Sequence, residues 1–431
     1  MENRLSLSVN NIQHFFRLQI IGIKKGNISA LLQKGHTFSV ILLAIFTIPL
    51  VMIIRLMKPI VTIRFRQLYT RFGNSISDID FYLCNHPKDF LRQKRIFDIF
   101  YHPPMTSNAF LKKIWDRTLT ISPIAKYVDI ANRWFPGYPP HIIPSLPDIP
   151  GFETDTQGLL DQTPPHISLT IEEERQGKKE LEKLGISNAQ PFICFHIREA
   201  SYLNERYPSY DWRYHNYRDS NIQACIPAAE KLAARGYAMI RMGSVVKEAL
   251  HMPPSNPAII DYAVQGRTDF MDVYLIAKCA FFIGSTAGLS SLPRIFRRPI
   301  AYINFIPYDH LQLWGKDYLF IPKKLWLKKE KRFLTFKEIF SSEIKNFYDT
   351  SQYEAMGIEL MENTPEEISA LGLEMEDRIN GRWTATQEDE ELQEQFRSLA
   401  RLNPRVKNAI PIRSRIGAAF LRENQALLIS S

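Results

Sequence analysis

Five short apolar runs without alternation recur between residues 191 and 303: Pro191–Phe195, Tyr237–Ile240, Ile259–Ile260, Phe281–Ile283 and Ile300–Ile303. Runs of that kind read as strands covered on both faces. Helical stretches separate them. Ile222, Ile226, Ala229, Leu232 and Ala233 form one apolar stripe closed by Gly236, and Pro227 either kinks this helix or starts its regular part near Ile226. A second helix begins at Asp269, and helix signals resume after residue 291 up to Arg297. Strand, helix and strand in alternation predict an α/β, doubly wound, Rossmann-like domain.

In such sheets ligands bind beyond the carboxyl ends of the strands. Here those ends carry chemistry. The first strand runs into His196-Ile197-Arg198-Glu199, with His196 and Arg198 on one face. The second ends in Arg241-Met242-Gly243-Ser244 and the third at Asp261. The fourth opens a loop of Gly284, Ser285, Thr286, Gly288, Ser290 and Ser291 before the next helix. Free N–H groups and a helix dipole at such a loop suit a phosphate or diphosphate. An arginine fork suits the same group. A plain ion pair between Arg198 and Glu199 is the alternative reading. Between the first strand and its helix, residues 201–220 are rich in Tyr, Trp, His and Asp, as expected of a substrate surface. Asp211 or His215 could take a proton from a sugar hydroxyl there, or His215 could serve only to orient the next helix.

Elsewhere the signals are organisational. Phe38 to Ile54 is seventeen uncharged, mostly apolar residues, broken by Ser39, Thr47 and Pro49. It is at the short edge of a membrane span, and Pro49 would kink it. Arg and Lys flank both sides, favouring a monotopic or re-entrant insertion with both ends cytoplasmic over a single span or a buried core helix. Residues 12–32 could form an interfacial amphipathic helix. Ile60–Ile63 predicts a strand and Arg64 to Asn74 a loop, whose Arg64, Arg66 and Arg71 would face a ligand or headgroups. Residues 136–165 are proline-rich and loop-like. Ile171 to Leu184 is a charged helix stopped by Gly185. The tail from Phe333 is expected to be helical and charged. Within it, Thr364-Pro365-Glu366-Glu367 is a helix start.

Composition narrows the class. The net charge is +9 with a pI near 9.2, which suits anionic ligands or an anionic membrane surface. No zinc spacing, recognition helix or interleaved basic-aromatic motif supports nucleic acid as a partner. Cys84, Cys194, Cys225 and Cys279 form no CxxC pair and read as buried thiols. The chain lacks GxGxxG, P-loop, GxSxG and HExxH motifs. Asp78-Ile79-Asp80 fits the spacing of a metal-binding DxD but sits where a loop or helix start is expected.

Several blocks resemble one family of bacterial glycosyltransferases of surface-polysaccharide loci. They are Val61-Thr-Ile-Arg-Phe with Gly73, His196-Ile-Arg198, His215-Asn-Tyr-Arg-Asp-Ser-Asn-Ile222, Arg241-Met-Gly243 and Asp269 through Ser291. Pro293-Arg-Ile-Phe with Pro299, Ile321-Pro-Lys-Lys-Leu-Trp326, Glu362 through Ile368 and Glu374-Met375 continue the resemblance. The His-x-Arg strand end with a downstream Phe-Ile-Gly-Ser-Thr loop is also similar to the fucosyltransferase superfamily. Glu199 and Ala200 stand where many fucosyltransferases have a second arginine, which counts against a GDP-fucose donor.

The resemblance implies a GT-B-like pair of Rossmann-like domains. An acceptor-side domain would span 59–180 and a donor domain 185–330. A membrane-associating segment would occupy 1–58 and a tail 331–431 would pack back. It implies metal-independent, inverting transfer from a nucleotide sugar to a glycan or lipid-linked acceptor, at the cytoplasmic face of the inner membrane, with no cofactor. Arg198 would hold the diphosphate. Arg218, Arg241, Gly243, Asp261, Gly284, Ser285, Thr286, Gly288, Ser290 and Ser291 would complete the donor site. The base would be one of Asp211, His215, Glu199 and His196. An epimerase, a pyruvyltransferase and a non-catalytic membrane-bound scaffold are the other classes left open.

Overall fold

The computed structural model describes residues 28–68, 72–145, 155, 158–251, 256–311, 313–407 and 412–429. The stretch at 12–32 up to residue 27, the basic flank from Arg4 to Lys25, Arg71, and the Pro147–Pro150 part of the proline-rich run lie outside them. The chain forms two compact units. The first takes residues up to 70, 86–106 and 115–148; the second takes 71–85, 107–114 and everything from 149.

The first unit begins with helices α1 (Ile28–Phe46) and α2 (Ile48–Leu56), bent by 47° at Thr47. Pro49 lies in the first turn of α2, where its missing N–H costs nothing but where α1 cannot continue. Strand β1 (Thr62–Gln67) follows; the next helix, α3 (Phe72–Asn85), belongs to the second unit. Strand β2 (Ile96–Tyr101) pairs parallel with β1, and single bridges Phe65–Ile142 and Phe100–Ile121 extend the pair on both sides. Helix α4 (Ala125–Asn132) packs Ala125, Val128 and Ala131 against Phe65, Tyr101, Ala44, Val51 and Ile54.

Arg64 and Arg66 are strand residues, not loop residues. Ile63 and Phe65 alternate with them, the period of a half-buried strand, and the arginines take the opposite face. Arg64 forks onto Asp98 at 2.7 and 2.9 Å, and buried Arg66 donates to the Pro144 carbonyl at 2.8 Å. Asp78 and Asp80 sit inside α3 rather than in a loop or at a helix start.

The second unit is built on a wholly parallel seven-stranded sheet. Its members are β3 (Phe192–His196), β4 (Ala238–Arg241), β5 (Ile259–Ile260), β6 (Phe282–Gly284), β7 (Ile300–Phe305), β8 (Tyr318–Pro322) and β12 (Arg415–Ile416). The order is β12-β8-β7-β6-β3-β4-β5. The five expected strands are present; β8 and β12 are additional. From β3 the chain winds one way through β4 and β5, then returns to place β6 on the other side. The strand order therefore reverses between β3 and β6, where His196 pairs with Gly284. Helix α5 (Ile171–Lys183) opens with a Thr170–Glu173 capping box, and α6 (Ile226–Ala233) begins at the residue before Pro227. Helix α7 (Asp269–Lys278) and the five-residue α8 (Ser291–Ile295) flank β6.

Residues beyond 331 are not purely helical. β9 (Lys324–Leu327), β10 (Arg332–Phe333) and β11 (Ile358–Met361) form an antiparallel sheet, and β12 joins the main one. The apolar residues Ile358 and Leu360 alternate with Glu359, the strand signal within an otherwise charged tail. Helix α9 (Pro365–Ile379) packs on α6, capped by Thr364 with a reciprocal bond from Glu367.

Replacing Thr364 with Ala removes that cap and should lower unfolding stability by about 1 kcal/mol. An unchanged denaturation midpoint would show that packing alone fixes the α9 start.

Candidate functional site

Beyond the carboxyl ends of β3, β4 and β6 lies a cavity of about 510 Å³. It opens at the reversal of strand order, the place where open α/β sheets leave a crevice. His196, Arg198, Glu199, His215, Arg218, Arg241, Gly243, Gly288 and Ser291 line it. Asp211, Asp261, Gly284, Ser285, Thr286 and Ser290 do not.

The serines and threonine next to β6 hold the protein rather than facing the cavity. Ser285 Oγ accepts from the Arg198 N–H at 2.8 Å, tying the end of β3 to the loop after β6. Thr286 donates to the Ile306 carbonyl at 2.7 Å, and Ser290 to Ala287 at 2.7 Å. Helix α8 has five residues, too few for a substantial dipole, so attraction for an anion falls to the arginines. Gly73 approaches this loop closely: a Cβ there would meet Gly288 Cα at 3.0 Å. Gly243 has φ +155°, and a Cβ there would lie 2.8 Å from Val246.

Two guanidiniums stand together. Arg198 is 8 % exposed; one terminal nitrogen pairs with Asp219 and donates to the His215 carbonyl at 3.1 Å. Its other terminal nitrogen is buried without a hydrogen-bond partner. Arg218 donates to the Thr286 carbonyl, and its Nε is likewise buried and unpartnered. Among the described residues no carboxylate lies within ion-pair distance of Arg218. Buried Lys323 adds a third cation, donating to the Asp219 carbonyl at 2.6 Å and feeling the charge of Glu362. Burial pushes the pKa of Arg198, Arg218 and Lys323 down, and Arg198 adds to the effect on Arg218. It pushes Asp219 up, against the pull of Arg198. The corner is short of negative charge.

Arg241 contrasts with this pair. It is 1 % exposed and saturated by Asp261, Glu199 and the Glu248 carbonyl, at 3.2, 3.2 and 2.7 Å. Asp261 also accepts from the Leu250 N–H at 2.8 Å. Glu199 is therefore the partner of Arg241, not of Arg198, and Arg241 and Asp261 brace the loops after β4 and β5.

The expected bases separate in the same way. Asp211 is exposed, and Arg213 holds it down at about 2. Glu199 is engaged by Arg241 and by the Lys247 N–H at 2.6 Å. Burial, Arg241 and Arg198 hold His196 down at about 4, so it is neutral at pH 7. His215 lines the cavity, its ring 3.9 Å from that of Tyr214 and parallel to buried Trp212. Asp272, on α7, also lines it and was missed. Burial pushes its carboxyl up to about 6 against the pull of Arg267, and Tyr262 donates to it at 3.3 Å. The available signal was Arg267 followed by Asp269 and Asp272, two acids one helical turn apart behind a basic residue.

Asp80, Cys84 and His166 are close enough to hold a metal ion. Asp80 already pairs with Arg297 at 2.6 Å and with His166 at 2.9 Å, and burial pushes the Cys84 thiol up to about 12. A neutral thiol beside a guanidinium is a poor donor set, and the group reads as an ion-pair network bracing α3.

No family model and no curated protein matches this chain, so the family resemblance rests on its sequence blocks alone. Solved structures similar to it include two transferases. ADP-heptose LPS heptosyltransferase II of E. coli aligns at TM-score 0.36 and 13% identity, over 60% of this chain and 90% of that one. The glycosyl transferase family 9 protein of Veillonella parvula aligns at 0.38 and 10%, over 60% and 85%. At scores this low the likeness assigns no function, and the functional reading stands on this chain's own residues.

The depressed pKa of His196 has a signed consequence. The unfolded imidazole takes up a proton near 6.5, the folded one near 4. Stability should be full above pH 6.5, fall by about 1.4 kcal/mol per unit below it, and level off under pH 4. His196→Gln should remove that component of the acid limb; an identical pH profile would contradict it.

Proposed function

We propose that this protein is a glycosyltransferase whose cavity binds the diphosphate of a nucleotide sugar between Arg198 and Arg218. One observation carries the reading: Arg218 is half-buried, its Nε fully so, with no carboxylate within ion-pair distance among the described residues, and it stands beside Arg198 with an unused buried donor on each side chain. A buried charge without a partner is costly, and a dianionic ligand supplies the missing charge and acceptors. Their place at the strand-order reversal, and the sequence resemblance, support a GT-B-like enzyme among the diphosphate-binding possibilities.

In this reading an acceptor hydroxyl, on a glycan or lipid-linked acceptor, attacks the anomeric carbon. The bond from that carbon to the diphosphate oxygen breaks and its electron pair leaves with the nucleotide. Arg198 and Arg218 stabilise the charge that develops there. The hydroxyl proton passes to Asp272, which Arg267 also engages, or to His215, both of which line the cavity. The reaction needs no metal.

A thermal-shift screen against GDP, UDP, CMP and their sugars, without added metal, tests the donor site. One nucleotide should stabilise the protein. Arg198→Ala and Arg218→Ala should each weaken that binding by roughly 30-fold or more, the cost of truncating a buried charged hydrogen bond, while Asp211→Asn leaves it intact. No shift with any of them, in a folded sample, would sink the reading.

If Asp272 is the base, turnover should fall as pH drops below about 6. Asp272→Asn would then lower kcat by about 100-fold or more with little change in nucleotide binding. An intact rate in that variant, with loss in His215→Asn, would assign the proton to His215.

A further inference from the structure

The helix pair α1–α2 is covered on one side only. Ala44, Val51 and Ile54 are buried against α4 and β1. Arg55 fixes α2 to the end of α4: it donates to Asn132 Oδ1 at 3.0 Å, and to the carbonyls of Asn132, Phe135 and Pro136 at 2.9, 3.2 and 2.7 Å. The opposite side is apolar and open. Phe38, Phe46, Ile53 and Leu56 are 65%, 74%, 54% and 79% exposed. Ile60, at 66%, and Phe97, at 63%, extend the apolar surface where β1 and β2 begin.

Charge borders this end of the surface. Lys58, Arg92, Lys94 and Arg95 are exposed, and none has a carboxylate partner among the described residues. Two backbone bonds keep Lys58 and Arg95 close to it: Thr62 N–H to the Arg95 carbonyl at 2.9 Å and Lys58 N–H to the Arg55 carbonyl at 3.2 Å. An apolar face edged by unpaired basic side chains matches the boundary of an anionic lipid leaflet, where acyl chains lie under phosphate headgroups.

We propose that this unit docks on an anionic membrane surface through the open side of α1–α2, lying in the interface without crossing it. No single described helix is long and apolar enough to cross a membrane; only the bent pair meets that test together. Helix α2 has nine residues, about 13 Å at 1.5 Å per residue, against about 30 Å of hydrocarbon. Both helices are packed on α4, so a straight span would strip Arg55 and the Val51–Ile54 face from their partners.

The test uses the full chain and two sets of vesicles, phosphatidylcholine alone and phosphatidylcholine with phosphatidylglycerol. Binding should favour the anionic vesicles by roughly tenfold or more and weaken with salt. Ile53→Glu with Leu56→Glu should abolish it. Lys58→Glu with Arg95→Glu should remove the anionic preference, with thermal unfolding unchanged in both variants. Failure to bind either vesicle would mean that another part of the chain or a second copy covers the face, and would overturn the proposal. Binding that no salt reverses, and that Lys58→Glu with Arg95→Glu leaves intact, would point to a span and overturn it too. Nucleotide binding is read separately, so neither result bears on the donor site.

Discussion

The shortage of negative charge around Arg198 and Arg218 is the constraint on which the functional account depends. Folding buries Arg198 and half-buries Arg218 at the cavity wall, and Asp219 pairs with only one of them. That arrangement costs stability unless something outside the chain completes it. The cost is sustained by the rest of the second unit. The parallel pairing of β3 with β6 fixes the Arg198 backbone against Ser285, and the carbonyl of Thr286 fixes the Arg218 head. A polar ligand site held by a rigid sheet edge needs no large rearrangement to bind an anion.

The surrounding charges show what a completed site looks like. Arg241, more deeply buried than either, has two carboxylates and a carbonyl, and its loops are braced accordingly. Arg297 has Asp80, the Thr163 carbonyl and the Cys84 sulfur nearby. Against these neighbours, Arg198 and Arg218 each keep one buried guanidinium nitrogen without a hydrogen-bond partner, as does Arg267 in the same cavity, and the proposed diphosphate would take the pair. Every one of these carboxylates has a guanidinium: Glu199 and Asp261 are engaged by Arg241, Asp211 by Arg213 in solvent and Asp272 by Arg267, with burial pushing the Asp272 carboxyl up.

Much of the sheet was legible because buried parallel strands announce themselves as unbroken apolar runs, as at Phe192–Phe195 and Phe282–Ile283. β12 was not, since two residues carry no periodicity and their place is set by contacts with β8 a hundred positions away. β1 was cut short because its arginines suggested a loop, although Ile63 and Phe65 kept the strand period. In the site, the nearness of His196 and Arg198 to the loop after β6 followed from topology. Which hydroxyls faced inward did not, because Ser285, Thr286 and Ser290 bond to nearby main chain and only coordinates reveal that. Nor could sequence pair Arg198 with Asp219 instead of Glu199. Glu199 is the next residue and Asp219 lies 21 positions on, brought back beside Arg198 by the fold while Glu199 turns to Arg241.

Calorimetric titration of the folded protein with inorganic pyrophosphate tests the central claim most directly, because it asks only whether the corner lacks a dianion. The account predicts one saturable site that weakens with salt and is lost when Arg218 is replaced by Met. No binding at low ionic strength, or binding that survives the loss of both Arg198 and Arg218, would contradict it.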